Sequence, residues 1–411
     1  MHVGNKRMPR KILLIFILGL TLRFGCVLFF TQFDETTSDS YFYTKIAKNL
    51  TLHQRYASNG EPDVYWAPGY PFFLSVIYKI FGINNTAVRV VQSILSALVI
   101  FFVYFICKKI FNCNVGVIAA AITSVYPGFI GYSGLVLPQL FTMFLNSLFI
   151  LLIINLRMNM SAAVVLGLIA GYSALIRSEL MVLYLILFLL VIHKERKQIH
   201  KFFITAFITM CLIMSIWSIR NYRVFNKFIP VSTHYADTLW LSTWHEEWLE
   251  WPAGAEPFAS MVKGKDCVGL ADFYFKAAMN NIKEHPFIYL KMCTKRLYRF
   301  WLTGHSNTFY FMKDSFIYYL SKKEYAIFFV KLVMLFFNVS IILLGFFGIR
   351  VAYKNFSSNR NIIHYIFAPI LFYIALHFFI FATPRYAIPI MPFVIIFASC
   401  AIVHFWSLLK E

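Results

Sequence analysis

Charge is what this sequence has least of. Only 14% of its 411 residues are Asp, Glu, Lys or Arg, and only 18 are acidic. Soluble domains carry roughly a quarter charged residues, so a chain this long and this poor in charge could not cover a water-facing surface. That excludes an ordinary soluble globular fold. Paired metal-ligand spacings are missing too: no CxxC, HxxxH or HExxH occurs, and no zinc site is predicted. No repeat of 20–50 residues and no low-complexity tract appears, which argues against solenoid and array architectures. The first apolar run, after Lys6, Arg7, Arg10 and Lys11, lacks a small-x-small cleavage site and is long enough to span. It reads as an uncleaved helix rather than a secretory signal.

What is present points to lipid. Hydrophobic residues make up 60% of the chain, 46 of them Phe, and the mean hydropathy is +0.67. The formal charge of +20 would suggest nucleic acid in a soluble protein. Here the basic residues gather in short loops between apolar runs, which indicates topology control and anionic headgroups and no nucleic-acid partner. The cysteines Cys26, Cys107, Cys113, Cys211 and Cys400 sit in or beside apolar runs and read as small hydrophobes. Cys267 and Cys293 share one long loop, so a disulfide between them is the alternative to two free thiols.

Apolar runs of spanning length occur near 12–32, 88–107, 115–133, 137–156, 161–177, 179–193, 202–219, 325–349, 361–382 and 387–409. The stretch from Tyr70 to Ile83 is short, opens with Pro68-Gly69-Tyr70-Pro71 and contains Lys79, so it is expected to lie along the interface. With that stretch not crossing, Lys108-Lys109, Arg157, Lys194-Arg196-Lys197, Arg350-Lys354-Arg360 and Lys410 all fall inside with the N-terminal tail. The basic-loop rule therefore favours about ten crossings with both termini cytoplasmic. Of the 18 acidic residues, all but Glu195 and Glu411 then lie outside. Carboxylate chemistry is expected on the non-cytoplasmic face. Three regions follow: a membrane module over 1–219 with an outer loop at 33–87, an extracytoplasmic loop region at 220–323, and a membrane module over 324–411.

In the first outer loop, Tyr43, Ile46, Ala47 and Leu50 recur at i, i+3, i+4 and i+7, which predicts an amphipathic helix with Asp39 at its start. Spacing alone leaves Asp39 as either a helix cap or a reactive carboxylate. In the long loop, Trp240, Trp244, Trp248 and Trp251 form one stripe at helical spacing. It reads as an interfacial helix with indoles at headgroup level, with stacking on sugar rings as the alternative.

Three segments, in order along the chain, carry a resemblance. Asp39, Tyr43, Ile46-Ala47 and Leu50 lead to Pro68-Gly69-Tyr70-Pro71-Phe72-Phe73-Leu74. Trp217-Ser218-Ile219-Arg220-Asn221-Tyr222-Arg223 follows, and then Thr383-Pro384-Arg385-Tyr386-Ala387-Ile388-Pro389-Ile390-Met391-Pro392. Together they resemble the GT-C glycosyltransferases that use polyprenyl-phosphate sugars, the family 39 protein O-mannosyltransferases and bacterial aminoarabinose transferases. Ser40 stands where relatives often have Glu after the loop aspartate, and Gln139 where they often have an acid. Metal use, with Mg or Mn as the ion, and acceptor class stay open.

The resemblance implies an all-α polytopic GT-C protein of the cell membrane and makes Asp39 the catalytic base. Its implied partners are a polyprenyl-phosphate sugar, a lipid, glycan or protein acceptor, and membrane lipids. Polyprenyl phosphate is a good leaving group, so an inverting displacement needs one carboxylate to take a proton from the incoming hydroxyl or amine. It also needs fixed positive charge on the phosphate. Arg385, Arg220 and Arg177, each at an outer helix end, are the candidates, with a snorkelling anchor as the alternative for each. Tyr43, Tyr70, Tyr386, Asp34 and Glu35 complete the candidate substrate site. A transporter or flippase for lipid-linked glycans is the other function considered; the chain lacks the paired halves such proteins commonly show.

Thiol labelling tests the crossing pattern. Single cysteines at Ser58, Thr303 and Thr383 should react with an impermeant reagent from outside, and those at Lys197 and Ser357 only after permeabilisation. External labelling at Lys197 would mean that the 70–83 stretch crosses.

Overall fold

The apolar runs fold as helices, and several of their starts are set by one polar side chain. Asn84 accepts hydrogen bonds from the Thr86 and Ala87 amides. Asn112 and Asn159 do the same for Val115 and Ala162. Each satisfies amides that a helix N-terminus leaves unpaired. A computed structural model describes residues 10–30, 38–58, 60–157, 159–192, 198–243 and 266–410. Its elements are α1 (Arg10–Phe30), α2 (Ser38–His53), a hairpin of β1 (Ala57–Ser58) and β2 (Glu61–Pro62), α3 (Gly69–Phe81), α4 (Asn85–Ile110), α5 (Cys113–Val125), α6 (Pro127–Ser133) and α7 (Gln139–Asn155). Then come α8 (Met160–Ile176), α9 (Leu180–Ile192), α10 (Gln198–Phe225), α11 (His234–Leu241), α12 (Cys267–Glu284), α13 (Pro286–Trp301), α14 (Phe316–Ser321), α15 (Tyr325–Asn355), α16 (Arg360–Phe379) and α17 (Met391–Leu408). The hairpin pairs Ala57 with Pro62 and Ser58 with Glu61, antiparallel.

Among the described residues six helices are long and apolar enough to cross a membrane: α1, α4, α10, α15, α16 and α17. The pair α5–α6, bent by 44°, makes a seventh. This is a multi-pass membrane protein. The further crossings expected at 137–156, 161–177 and 179–193 correspond to α7, α8 and α9, of 17, 17 and 13 residues. At about 1.5 Å per residue these are roughly 20–26 Å long, short of a hydrocarbon core of about 30 Å. The segment expected as a long loop contains α11, α12, α13 and α14.

The bend between α5 and α6 has a local cause. Pro127 cannot donate an amide and holds Tyr126 extended, at φ −63°, ψ 118°. The carbonyls at the end of α5 therefore lack helical partners. Arg23 of α1, fully buried, donates to the Thr123 and Ser124 carbonyls at 3.1 Å each and to Ser96 at 2.9 Å. A charge inside the bundle is held by hydrogen bonds that the proline break made available.

α17 is the central helix, its apolar window 89% buried. It packs closely on α15, where a Cβ at Gly348 would overlap the Phe397 carbonyl oxygen. Small residues at such crossings let membrane helices approach backbone to backbone. Gly348→Ala should therefore destabilise the protein by roughly 1–3 kcal/mol through overpacking. Gly25→Ala, where nothing lies within 4 Å of the added carbon, should be neutral. Thermal unfolding of both variants in detergent reads the difference.

Candidate active site

The predicted amphipathic helix forms as α2, with Ile46, Ala47 and Leu50 buried on one face. Asp39 lies in its first turn. Its Oδ2 is 2.5 Å from Nη1 of Arg385, which lies in the 3₁₀ segment Pro384–Ile390 leading into α17. Proline at 384 and 389 fixes φ along that segment. The ion pair thus joins the two ends of the chain.

A second pair lies beside the first. Arg177 ends α8, and its Nε is 2.5 Å from Glu179 Oε1. Burial pushes the Glu179 carboxyl up, but the adjacent Arg177 guanidinium outweighs this and holds it below its ordinary value. Burial likewise opposes the Arg177 charge, and Glu179 more than restores it. Tyr386 connects the two pairs. The Arg177 guanidinium lies 4.7 Å from its ring centroid and that of Arg385 5.2 Å. Arg385 Nη2 donates to its hydroxyl at 3.3 Å, and His377 stacks on the ring at 4.8 Å and 11°. Two guanidinium groups are thereby held at one ring, each balanced by its own carboxylate.

Two cavities of about 490 Å³ each meet here. Asp39, Trp66, His234, Thr238, Arg385 and Tyr386 line both. The first adds Arg177 and Glu179 and has apolar walls from Met181, Val182, Phe372, Leu376 and Ile380. The second adds Asp63, Tyr65 and Asp237. There the Tyr65 hydroxyl donates to Asp237, His234 Nδ1 lies 3.0 Å from the other Asp237 oxygen, and Trp66 stacks on His234. Burial raises the Asp63 carboxyl above its ordinary value, against hydrogen bonds from the Trp66 and Tyr65 amides.

The structure brings together Asp39, Tyr43, Arg177, Arg385 and Tyr386, all of which line the first cavity. Arg220 lines neither cavity. Its guanidinium donates to the Asp63 and Tyr56 carbonyls at 2.8 and 3.0 Å and packs over Trp217. Its position supports the β-hairpin loop rather than a phosphate. Tyr70 is fully buried, and its hydroxyl donates to Gln92 at 2.5 Å. The motif around it has a structural reason: a Cβ at Gly69 would lie 2.7 Å from the Ile176 amide nitrogen. Glycine lets α3 abut the turn that carries Arg177. Asp34 and Glu35 lie outside the described residues.

Within the tryptophan stripe, Trp240 is buried and packs at 5.0 Å from Tyr274, inside the protein rather than at a headgroup surface. Trp244, Trp248 and Trp251 lie outside the described residues. Cys267 and Cys293 are free thiols, on α12 and α13. Among the described residues no three His, Cys, Asp or Glu side chains gather to hold a metal ion, so no step is derived through Mg or Mn.

Glu179, His234, Asp237 and His377 were not identified from the sequence. Arg177-Ser178-Glu179 offered a faint signal in an acidic residue two positions from an arginine. The others come together only in space. Arg296, on a basic amphipathic helix, gave no signal either. It is buried and donates to the Phe378 and Phe379 carbonyls at 3.1 and 2.9 Å and to that of Ser242, tying the end of α16 to α11.

Because the folded state holds Glu179 below its ordinary value of 4.5, its contribution to stability is complete above that pH. It is lost as acid protonates the carboxylate. Glu179→Gln should remove that part of the acid dependence and leave Arg177 unpaired, at a cost on the order of 3 kcal/mol. Melting temperatures between pH 3 and 7 measure both effects.

Residues 65–219, under half of the chain, match the family model of the dolichyl-phosphate-mannose-protein mannosyltransferases. The segment contains Trp66, Gln139, Arg177 and Glu179 but neither Asp39 nor Arg385. No curated protein matches the sequence. Among solved structures, the apo oligosaccharyltransferase of Archaeoglobus fulgidus matches with a TM-score of 0.58 at 15% identity, over 99% of this chain and 52% of that one. The same organism's oligosaccharyltransferase AglB, in complex with an inhibitory peptide and a dolichol-phosphate, gives 0.57 at 15% identity, over 97% and 51%. ArnT from Cupriavidus metallidurans bound to undecaprenyl phosphate gives 0.46 at 11% identity, over 96% and 77%. The chain spans about half the length of the archaeal structures. The chain is thus a multi-pass membrane protein whose residues 65–219 are similar to the mannosyltransferase family and whose fold is similar, over nearly its whole length, to that of the archaeal oligosaccharyltransferase.

Proposed function

We propose that this protein is a glycosyltransferase that moves a sugar, with inversion, from a polyprenyl-phosphate donor to a hydroxyl or amine. The observation that carries the reading is the Asp39–Arg385 ion pair on the wall shared by two cavities. The apolar walls of the first cavity suit a prenyl chain, and Arg385 and Arg177 suit its phosphate. The more polar second cavity suits the acceptor, whether lipid, glycan or protein.

In the site as it stands Arg385 is paired with Asp39. An arriving phosphate competes for the same guanidinium, whose planar fork binds phosphate as well as carboxylate. As Arg385 turns to the phosphate, Asp39 is free to accept the acceptor's proton. The acceptor oxygen or nitrogen then bonds to the anomeric carbon, the carbon–oxygen bond to the phosphate breaks, and polyprenyl phosphate leaves with its charge held by Arg385 and Arg177. The chain then crosses the membrane ten times, with α7, α8 and α9 tilted or in thinned bilayer, both termini cytoplasmic and the site extracytoplasmic. Its three regions are 1–219, 220–323 and 324–411.

Deleting the gene and comparing envelope lipids, glycans and glycoproteins by mass spectrometry should reveal one sugar mass missing from one acceptor. Asp39→Asn should fail to restore it, with turnover down on the order of 10²–10⁴-fold and normal expression. Arg385→Lys keeps the charge but loses the fork and should weaken donor binding more than stability. Near-normal turnover of purified Asp39→Asn protein would remove the base assignment. Build-up of a complete but untransported lipid-linked glycan in the deletion strain would indicate a flippase.

A further inference from the structure

The first cavity contains polar atoms that the protein itself leaves unmatched. His377 on α16 is 3% exposed and lines the cavity. Its Nδ1 lies 3.1 Å from the Phe381 carbonyl oxygen. A carbonyl can only accept, so Nδ1 carries the proton. The Tyr386 ring on which it stacks also meets the Arg177 guanidinium. Nε2 is then a bare acceptor, and it is buried without a partner. Gln139, the first residue of α7, is also 3% exposed and lines the same cavity, and its Oε1 is buried and unpartnered. Arg385, on the same wall, has an unpartnered donor at Nε.

A buried polar atom without a partner costs about 1–3 kcal/mol, so two acceptors and a donor around one cavity point to a ligand that supplies their complements. A phosphate supplies only acceptors. It would answer Arg385 Nε but would set oxygen lone pairs against those of His377 and Gln139. An array of hydroxyls both donates and accepts and answers all three.

Resting on the donor reading above, we infer that His377 Nε2 and Gln139 Oε1 form the subsite for the hydroxyls of the transferred sugar, while Arg177 and Arg385 take the phosphate. His377 is thus a specificity-determining residue. Its ring is held by Tyr386 on α17's leading segment and by Phe300, stacked at 5.2 Å. The hydroxyl contacts therefore sit on a rigid support, as discrimination requires.

The test separates sugar from phosphate. Binding to the full-length protein in nanodiscs is measured for undecaprenyl phosphate, bare and carrying mannose, glucose or N-acetylglucosamine. His377→Phe keeps the aromatic stack and removes both nitrogens; Gln139→Leu keeps the volume and removes the amide. Wild-type protein should bind at least one sugar-bearing lipid more tightly than the bare one. Each variant should reduce that advantage roughly three- to tenfold, the worth of one neutral hydrogen bond, and leave bare undecaprenyl phosphate unchanged. An equal loss for bare and sugar-bearing lipid would place these residues on the phosphate or the fold and overturn the subsite. So would a sugar advantage that both variants retain, or the absence of any such advantage in wild type. If wild-type protein bound none of the four lipids, the donor reading itself would fall, and the subsite with it.

Discussion

A charge inside a membrane protein has to be matched, and the organisation of this molecule around Arg385 follows from that requirement. Its guanidinium lies on the segment that leads into the most buried helix, and the carboxylate that balances it comes from the first turn of α2. Closing that pair fixes where the two ends of the chain meet. Tyr386 then sets the place of Arg177, which brings Glu179 with it. The same need recurs away from the site. Arg23 is held by carbonyls freed at a proline break, and Lys331 by the Met312 and Asp314 carbonyls at 2.7 and 2.8 Å. In each case a cation is placed where backbone carbonyls lack helical partners.

This arrangement gives the site a latent property. In the folded protein each arginine at the cavity faces a carboxylate, so the site carries little net charge despite its two guanidinium groups.

Much of the architecture was legible because its signals are local. Apolar runs are properties of short windows, and helices formed at all ten runs named; the break at Pro127 inside the 115–133 run was not foreseen. Of the candidate site residues, Asp39, Tyr43, Arg177, Arg385 and Tyr386 line one cavity, and the arginines were singled out by their place at helix ends. Arg220 shared that signal and yet turned to the carbonyls of Tyr56 and Asp63. A position at a helix end does not say which way a long side chain points. The same limit applied to Trp240, whose stripe predicted an interfacial face and whose ring packs against Tyr274.

The sequence by itself determined that this is a predominantly helical membrane protein and roughly where its apolar helices lie, since hydropathy acts over a few residues. It also determined that charge is scarce and gathers mostly at or near helix ends and in the segments between apolar runs. Only the tertiary structure decided which of those ends meet. The pairing of Asp39 with Arg385, the stacking of His377 on Tyr386 and the unmatched acceptors of His377 and Gln139 depend on contacts between residues far apart in the chain. Such contacts are fixed by the packing of α17 at the centre of the bundle, and no window of the sequence contains them.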